Sequence, residues 1–325
     1  MKHRLGVIGT FVWDTIHGRD PRAAPVEEWG GITYALSGLD AALPSDWEIV
    51  PIAKVGSDYH AKATEFIHTL SHIAPDAALV EVPYPNNRVA LYYQSAERRC
   101  EKLTGGVPGW TWVGLKPLID TLKLDALYIN FLSGWELDLA TATVLRSYFS
   151  DPIYCDLHML VMAVQHDGLR TSRVLPNAAE WCACFDILQV NEDEMATMAP
   201  DPMALAATAM QNGIRNLVVT LGSKGAVYFA APDFTRLSDL RAERPLGAAL
   251  GPVRTALIPA ELVADAGDPT GCGDVWGATY FSRLLAGDSL PDAMRAAHRA
   301  AARNVEHRGA TGLSRHLRGE LSTIR

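Results

Sequence analysis

No run of about 18 apolar residues occurs in the 325-residue chain, so no membrane-spanning helix is expected. Positive charge is in deficit: 29 Lys and Arg stand against 37 Asp and Glu, a formal net charge of -8. That balance excludes a sequence-independent nucleic-acid binder, which needs a basic surface. It leaves room for a phosphate ligand, because a local cradle with Mg2+ outweighs a distant negative field. Cysteine is scarce. Cys100, Cys155, Cys182, Cys184 and Cys272 are odd in number and their spacing fits no zinc pattern, so reduced thiols in a cytoplasmic protein are the expectation. The opening Met1-Lys-His-Arg-Leu-Gly-Val-Ile-Gly lacks the long apolar segment and small-residue cleavage site of a secretory leader. No G-x-G-x-x-G follows the first strand, which removes the dinucleotide-binding dehydrogenases. Internal repeats, linkers and low-complexity segments are also missing.

What is present is ordinary in bulk and specific in detail. Hydrophobic residues make up 48% and charged residues 20%, and the length allows one large α/β domain or two smaller ones. Residues 5–12 read as a buried strand, with Asp14 just past its carboxyl end, where open α/β sheets hold ligands. A helix over Ile32–Leu43, a strand over 47–56 and a helix over Tyr59–Leu70 follow. Residues 78–83 and 87–95 break the rhythm and read as strands of an antiparallel ribbon. Strand and helix then alternate again: strands over 126–131, 152–156, 187–191, 217–221 and 226–230, and helices over 138–149, 273–286 and 291–306. Such spacing implies right-handed crossovers and a mostly parallel sheet. Residues 231–263 carry weak periodicity and receive no assignment.

Residues 268–283 carry the strongest functional signal. Asp268 precedes the small turn Thr270-Gly271-Cys272-Gly273, and Asp274 then opens an apolar helical pattern. Glycines let the backbone approach a ligand, and a helix start leaves N–H groups unpaired, so together they make an anion cradle. A carboxylate beside a bound anion has work to do with a proton or a metal, which points to phosphoryl transfer to a hydroxyl. The plainer alternative is a helix N-cap preceded by a Gly-x-Gly turn.

Asp268-Pro-Thr-Gly-Cys-Gly-Asp274 resembles the D-T-x-G-A-G-D signature of the ribokinase-like sugar kinases, the phosphofructokinase-B family, with Pro269 and Cys272 where Thr and Ala are commoner. Gly30-Gly31 resembles that family's N-terminal Gly-Gly motif, Asn191-Glu-Asp-Glu194 its N-x-x-E motif, and Val218–Gly225 the strand and turn near its nucleotide. The four matches fall in the family's order over about residues 5 to 315. The resemblance implies a three-layer α/β fold with a mostly parallel central sheet. Residues 1–325 would form one domain, with a small β-sheet lid built from about 10–30 and 79–107. It also implies an ATP-dependent, Mg2+-requiring kinase acting on a hydroxyl of a small sugar or sugar-like molecule.

Under that resemblance, Asp274 is the general base and the N–H groups of Gly271, Cys272 and Gly273 form the anion hole. A carboxylate of ordinary pKa, about 3.9 for Asp, suffices as base where the transition state is loose and the proton leaves late. Cys272 contributes its backbone, with a nucleophilic thiol as the alternative at a helix N-terminus. Asn191 and Glu194 face the phosphates, Glu194 holding Mg2+ largely through water; an acidic first helical turn is the structural alternative. Thr220, Gly222, Gly225 and Thr270 line the nucleotide, with Lys224 within reach of a phosphate, though a plain hairpin turn explains the glycines equally. Asn304, with His298 and Ala302, sits on the helix that flanks adenine in the family; for His298 a surface position is the expectation. Asp268 is a candidate contact for a monovalent cation such as K+.

Asp14, Gly30 and Gly31 are the acceptor-side candidates, joined by Asp156, Trp13 and the Trp29 beside the glycines. Arg98 and Arg99 could meet a phosphorylated sugar, although surface arginines explain them as well. Two departures put the acceptor in question. Ala35 stands where the family has Asn, and Asp156-Leu-His158-Met-Leu lacks the Asn and Arg of its D-x-N-x-R pattern. A nucleoside kinase, with Trp13 and Trp29 sandwiching a base, is therefore the first alternative, and a catalytically silent ligand sensor the second; stacking on a sugar face or a place in the lid core explains the tryptophans equally. Exposed lid strands further imply a homodimer through the lid.

Overall fold

The computed structural model describes residues 2–17, 24–93, 99–199, 201–241, 252–261, 263 and 267–320. Arg98, parts of both lid segments and residues 242–251 and 262 lie outside the described residues. The chain opens with β1 (His3–Ile8), β2 (Phe11–His17), β3 (Val26–Gly31) and α1 (Ile32–Ala42). Then come β4 (Trp47–Ile52), β5 (Lys54–Gly56), α2 (His60–His68), β6 (Val80–Val82), β7 (Asn87–Tyr93) and β8 (Arg99–Thr104). The middle holds α3 (Trp112–Leu122), β9 (Ala126–Asn130), α4 (Leu139–Tyr148), β10 (Ile153–Asp156), β11 (Met162–Val164), β12 (Arg170–Ser172) and α5 (Ala178–Cys182). The last part runs β13 (Ile187–Asn191), α6 (Glu192–Met198), α7 (Pro202–Gln211), β14 (Asn216–Thr220), β15 (Ala226–Ala230) and β16 (Arg254–Ile258). Three helices finish it: α8 (Cys272–Leu285), α9 (Leu290–Val305) and α10 (Leu313–Leu317).

Eight strands form the main sheet in the order β16-β15-β14-β13-β10-β9-β1-β4, parallel from β14 to β4, with β15 and β16 antiparallel. Its central strands are apolar throughout because both faces are covered; every residue of β9 and β10 is buried. One face packs on α1, α8 and α9 through Leu36, Val275, Phe281 and Ala297. The other packs on α3, α4 and α7 through Leu115, Leu145 and Leu205. These two interfaces are the core of a ribokinase-like three-layer fold. Among the described residues no helix is long and apolar enough to cross a membrane.

A second, four-stranded sheet stands apart in the order β3-β2-β7-β8. Here the sequence reading needs three corrections. The strand expected over 5–12 breaks at Gly9-Thr10, so β1 stays in the main sheet and Phe11 starts the small one; Asp14 therefore lies within β2. The strand expected over 47–56 likewise divides at Ala53 into β4 and β5. Residues 80–82 do not pair with 87–93 but run parallel to β5; Pro83 and Pro85, which lack N–H donors, separate the two strands. Helix α3, the hairpin β11–β12 and strand β16 had no assignment from sequence.

Candidate active site

Parallel strands end together, and their last residues make a polar ledge. Asn130 of β9 lies beside Asp156 of β10, and Asn191 of β13 beside Thr220 of β14. Helix α8 begins over this ledge. Its cap, Gly271, has φ 74°, and a Cβ there would sit 2.1 Å from the Tyr34 ring, so only glycine lets the turn close on α1. Asp274, in the first turn of α8, accepts a 2.6 Å hydrogen bond from Asn130 Nδ2. Asn130 is fully buried, and its Oδ1 has no partner among the described residues. Gln189 ties the ledge to the helix, donating to Asp156 Oδ2 at 2.9 Å and to the Gly273 carbonyl at 3.2 Å.

Of the three amides assigned to the anion hole, Cys272 N–H donates to the Pro269 carbonyl at 3.1 Å, while those of Gly271 and Gly273 have no backbone acceptor among the described residues. The Cys272 thiol donates to the Ala301 carbonyl, and burial pushes it up to about 11. A thiol held protonated is a poor nucleophile, which weighs against that alternative.

Asn191 and Glu194 form a complete capping box on α6. Asn191 Oδ1 accepts from Glu194 N–H at 2.8 Å, and Glu194 Oε2 accepts from Asn191 N–H at 2.8 Å. Glu194 Oε1 accepts from Asn191 Nδ2 at 2.6 Å and from His158 Nδ1 at 3.0 Å. Burial disfavours a charged His158, but the bond and charge of Glu194, then the charges of Asp156 and Asp274, outweigh it and push the imidazole up to about 9. Asp156 goes the other way: burial first, then Glu194, raises its carboxyl well above the usual range. His158 has a backbone φ of 27°, a conformation side chains other than glycine rarely adopt.

A cleft of about 70 Å³, open to solvent, lies between ledge and small sheet. Asp14, Gly31, Thr270, Gly271 and Asp274, distant in sequence, line it together. Gly30 explains how Asp14 reaches it: a Cβ there would lie 1.9 Å from Asp14 Oδ2. Sequence reasoning missed Tyr34, Asn130, Glu101 and Arg170, and treated His158 only as a departure from a pattern. Tyr34 is buried, and that burial with the nearby carboxylates of Glu28, Asp14, Asp268 and Asp274 raises its phenol far above the usual range. Strand-end position was the available signal for Asn130; Arg170 offered none, because its hairpin was not recognised.

Trp13 does not line the cleft. Strand alternation sends it to the other face of β2, where it packs edge-on against Trp29 at 5.1 Å and tilts against Tyr59 at 5.1 Å. Both tryptophans are buried core, so the expected base sandwich does not form. Thr220 ends β14, and Gly222 and Gly225 turn the β14–β15 hairpin with φ 57° and 109°. Lys224 pairs at 3.4 Å with the exposed Glu192. Asp268 Oδ1 accepts from Thr270 N–H at 2.9 Å and from Thr270 Oγ1 at 2.6 Å, stiffening the turn. Asn304 is buried behind it and donates to the Thr270 carbonyl at 2.9 Å. His298 is not on the surface. Its Nδ1 accepts from Trp276 and its Nε2–H donates to the Ile258 carbonyl, which locks a neutral ring whose pKa burial lowers.

Residues 158–316 match the pfkB family carbohydrate kinase model, a span that includes Asn191–Glu194 and Asp268–Asp274 but not Gly30-Gly31. No curated protein sequence matches the chain. Among solved structures, the Burkholderia thailandensis nucleoside kinase in complex with inosine superposes with a TM-score of 0.70 at 15% identity, over 96% of this chain and 94% of that one. Arabidopsis thaliana ribokinase complexed with ribose and ATP gives 0.65 at 15% identity, over 99% and 100%. The Thermotoga maritima ribokinase gives 0.64 at 17%, over 98% and 99%. Over residues 158–316, then, the chain is similar to the pfkB family carbohydrate kinases, and over its length it has the ribokinase-like fold.

Proposed function

We propose that the protein transfers the γ-phosphoryl group of ATP to a hydroxyl of a small sugar or sugar-like acceptor. One observation carries the reading: Asp274, held by Asn130, shares a cleft with Asp14 and with the glycine turn that starts α8. Asp14 accepts hydrogen bonds from acceptor hydroxyls and aims one of them at Asp274. The acceptor oxygen bonds to the γ-phosphorus as the bond to the β,γ-bridging oxygen breaks. That electron pair leaves with ADP, and the hydroxyl proton passes to Asp274. The Gly271 and Gly273 N–H groups stabilise the transferring oxygens.

Mg2+ would neutralise the phosphate charge. Every oxygen of Glu194 already accepts a hydrogen bond from Asn191 or His158, and no cluster of three or more ligand-type side chains occurs among the described residues. That fits a hydrated ion held through its water shell, in keeping with a cation that dehydrates reluctantly. Thr220, Gly222, Gly225, Thr270 and Asn304 we assign to the nucleotide side, and Asp268 to a monovalent-cation contact. The small sheet we read as a lid in a single cytoplasmic domain over residues 1–325.

The test is ADP release with Mg-ATP across sugars, sugar phosphates and nucleosides, with Asp274→Asn as the blank. A turnover that falls by about 10²–10⁴-fold in the blank, with nucleotide still bound, is expected. Near-normal turnover in that variant would sink the assignment of the base, and no turnover with any acceptor would favour a silent sensor.

A further inference from the structure

The strand ends beneath α8 form two rows that face the helix. Register sets Asn130, Asp156 and Gln189 side by side on β9, β10 and β13, with Tyr128 beside Tyr154 two residues earlier on the same face. Gln189 is buried, and every polar atom of its side chain is engaged. Its Nε2 donates to Asp156 Oδ2 at 2.9 Å and to the Gly273 carbonyl at 3.2 Å, and its Oε1 accepts from the Tyr154 hydroxyl. A carbonyl only accepts, so the amino group must face Gly273 and the amide oxygen is left for Tyr154. The tyrosine therefore fixes which way the amide points.

Tyr154 has no room to yield. Its ring is fully buried, stacked on Tyr128 at 4.8 Å and on Phe281 at 5.2 Å. The helix makes way instead. A Cβ at Gly277 would lie 2.4 Å from the Tyr154 hydroxyl oxygen, 2.7 Å from Gln189 Oε1 and 3.1 Å from the Tyr128 hydroxyl oxygen. The backbone of Gly277 is ordinary helix, where glycine is disfavoured against alanine, so close approach and not conformation requires it there. The contact also reaches the reacting end of α8. The Gly273 carbonyl belongs to the same peptide as the Asp274 N–H, so a bond to it fixes the plane that joins the assigned anion hole to the assigned base.

We infer that Gln189 is a positioning residue: gripped by Tyr154 in the space that Gly277 leaves open, it holds the Gly273–Asp274 peptide in place over the strand ends. Its effect on turnover rests on the kinase reading, while the grip itself does not, so the experiment reads the two separately. Thermal melting reads the grip. Gly277→Ala should lower the melting temperature by about 5 °C or more. Adding Tyr154→Phe, which removes the nearest atom, should raise it again, although Tyr154→Phe alone lowers it. Steady-state kinetics with Mg-ATP and the preferred acceptor read the positioning, on folded protein. Gln189→Met keeps the length of the side chain and loses its polar atoms; it should lower kcat by about 10- to 100-fold with both KM values little changed. Tyr154→Phe leaves Gln189 present but ungripped and should lower kcat about tenfold, which provides the reading if the methionine variant does not fold. A double variant that melts no higher than Gly277→Ala, or Gly277→Ala melting like the wild type, would remove the grip. Unchanged kcat in folded Gln189→Met or Tyr154→Phe, or a loss confined to KM, would overturn the positioning role and leave the kinase reading standing. Melting rescue in a protein that releases ADP with no acceptor would support the grip and overturn the kinase reading.

Discussion

Asn130 is the residue whose importance only the structure reveals. It is fully buried at the end of β9, and its amide donates to the carboxylate that we assign as base. A hydrogen bond to a charged group is worth roughly 1.5–3 kcal/mol. Asn130→Ala should therefore lower kcat by about 10- to 100-fold with little change in acceptor KM. Asn130→Asp, which sets a second carboxylate beside Asp274, should cost more at neutral pH than the alanine does; equal losses would speak against the pairing. Gly30 makes a different point. Its missing side chain is the space that Asp14 occupies. Gly30→Ala should raise acceptor KM at least about tenfold while ATP binding is kept, since about 1 Å of misplacement can cost far more than that. Steady-state kinetics with the preferred acceptor checks it.

At the scale of elements, α1 and α10 are stapled by one carboxylate. Asp40, at 0% exposure, accepts from His72 N–H at 2.6 Å, from Ser314 Oγ and from Arg318 Nη1 at 2.7 Å. Burial alone would raise its pKa, but the bonds from His72, Ser314 and Arg318 together hold the carboxyl well below the ordinary range. A folded pKa below the unfolded one means stability that is fully present above about pH 4 and lost as pH falls through the folded value. Asp40→Ala should destabilise by about 3 kcal/mol, because it removes the buried acceptor shared by the His72 amide, the Ser314 hydroxyl and Arg318 Nη1, although Arg318 keeps its pairing with Glu320. It should also flatten the acid limb of the stability curve, measured by urea unfolding between pH 7 and pH 3. An unchanged acid limb would remove Asp40 from the account. The α8 helix shows how elements were legible: its apolar run and glycine start gave bounds of 273–286 against an observed Cys272–Leu285. Hairpin β11–β12 was not legible, because two three-residue strands carry too little periodicity to stand out.

For the whole molecule, the small sheet is the open question in assembly. Its order leaves β3 as an edge, while β8 is bonded to the β11–β12 hairpin at Leu103 and Lys102, and an unpaired edge invites pairing with another chain. A homodimer joined through this sheet is expected, with light scattering at assay concentration reading about twice 35.3 kDa. A monomer at that concentration would leave the sheet as a lid without an assembly role. The alternating strand and helix signals, the order of the motifs and the Asp268–Asp274 turn were all written locally, in periodicity, glycine placement and a helix start. The sequence by itself therefore determined the layered α/β fold, the ledge of strand ends and the placing of Asp274 in the first turn of α8. Which side chains meet across the cleft was decided by tertiary structure alone. Trp13 went to the core rather than the ligand because strand alternation and the aromatic cluster of Trp29, Tyr59 and Phe66 claimed it. Asn130 came to Asp274 across 144 residues, and Arg170 to Glu101 across 69, and no local pattern encodes separations of that length.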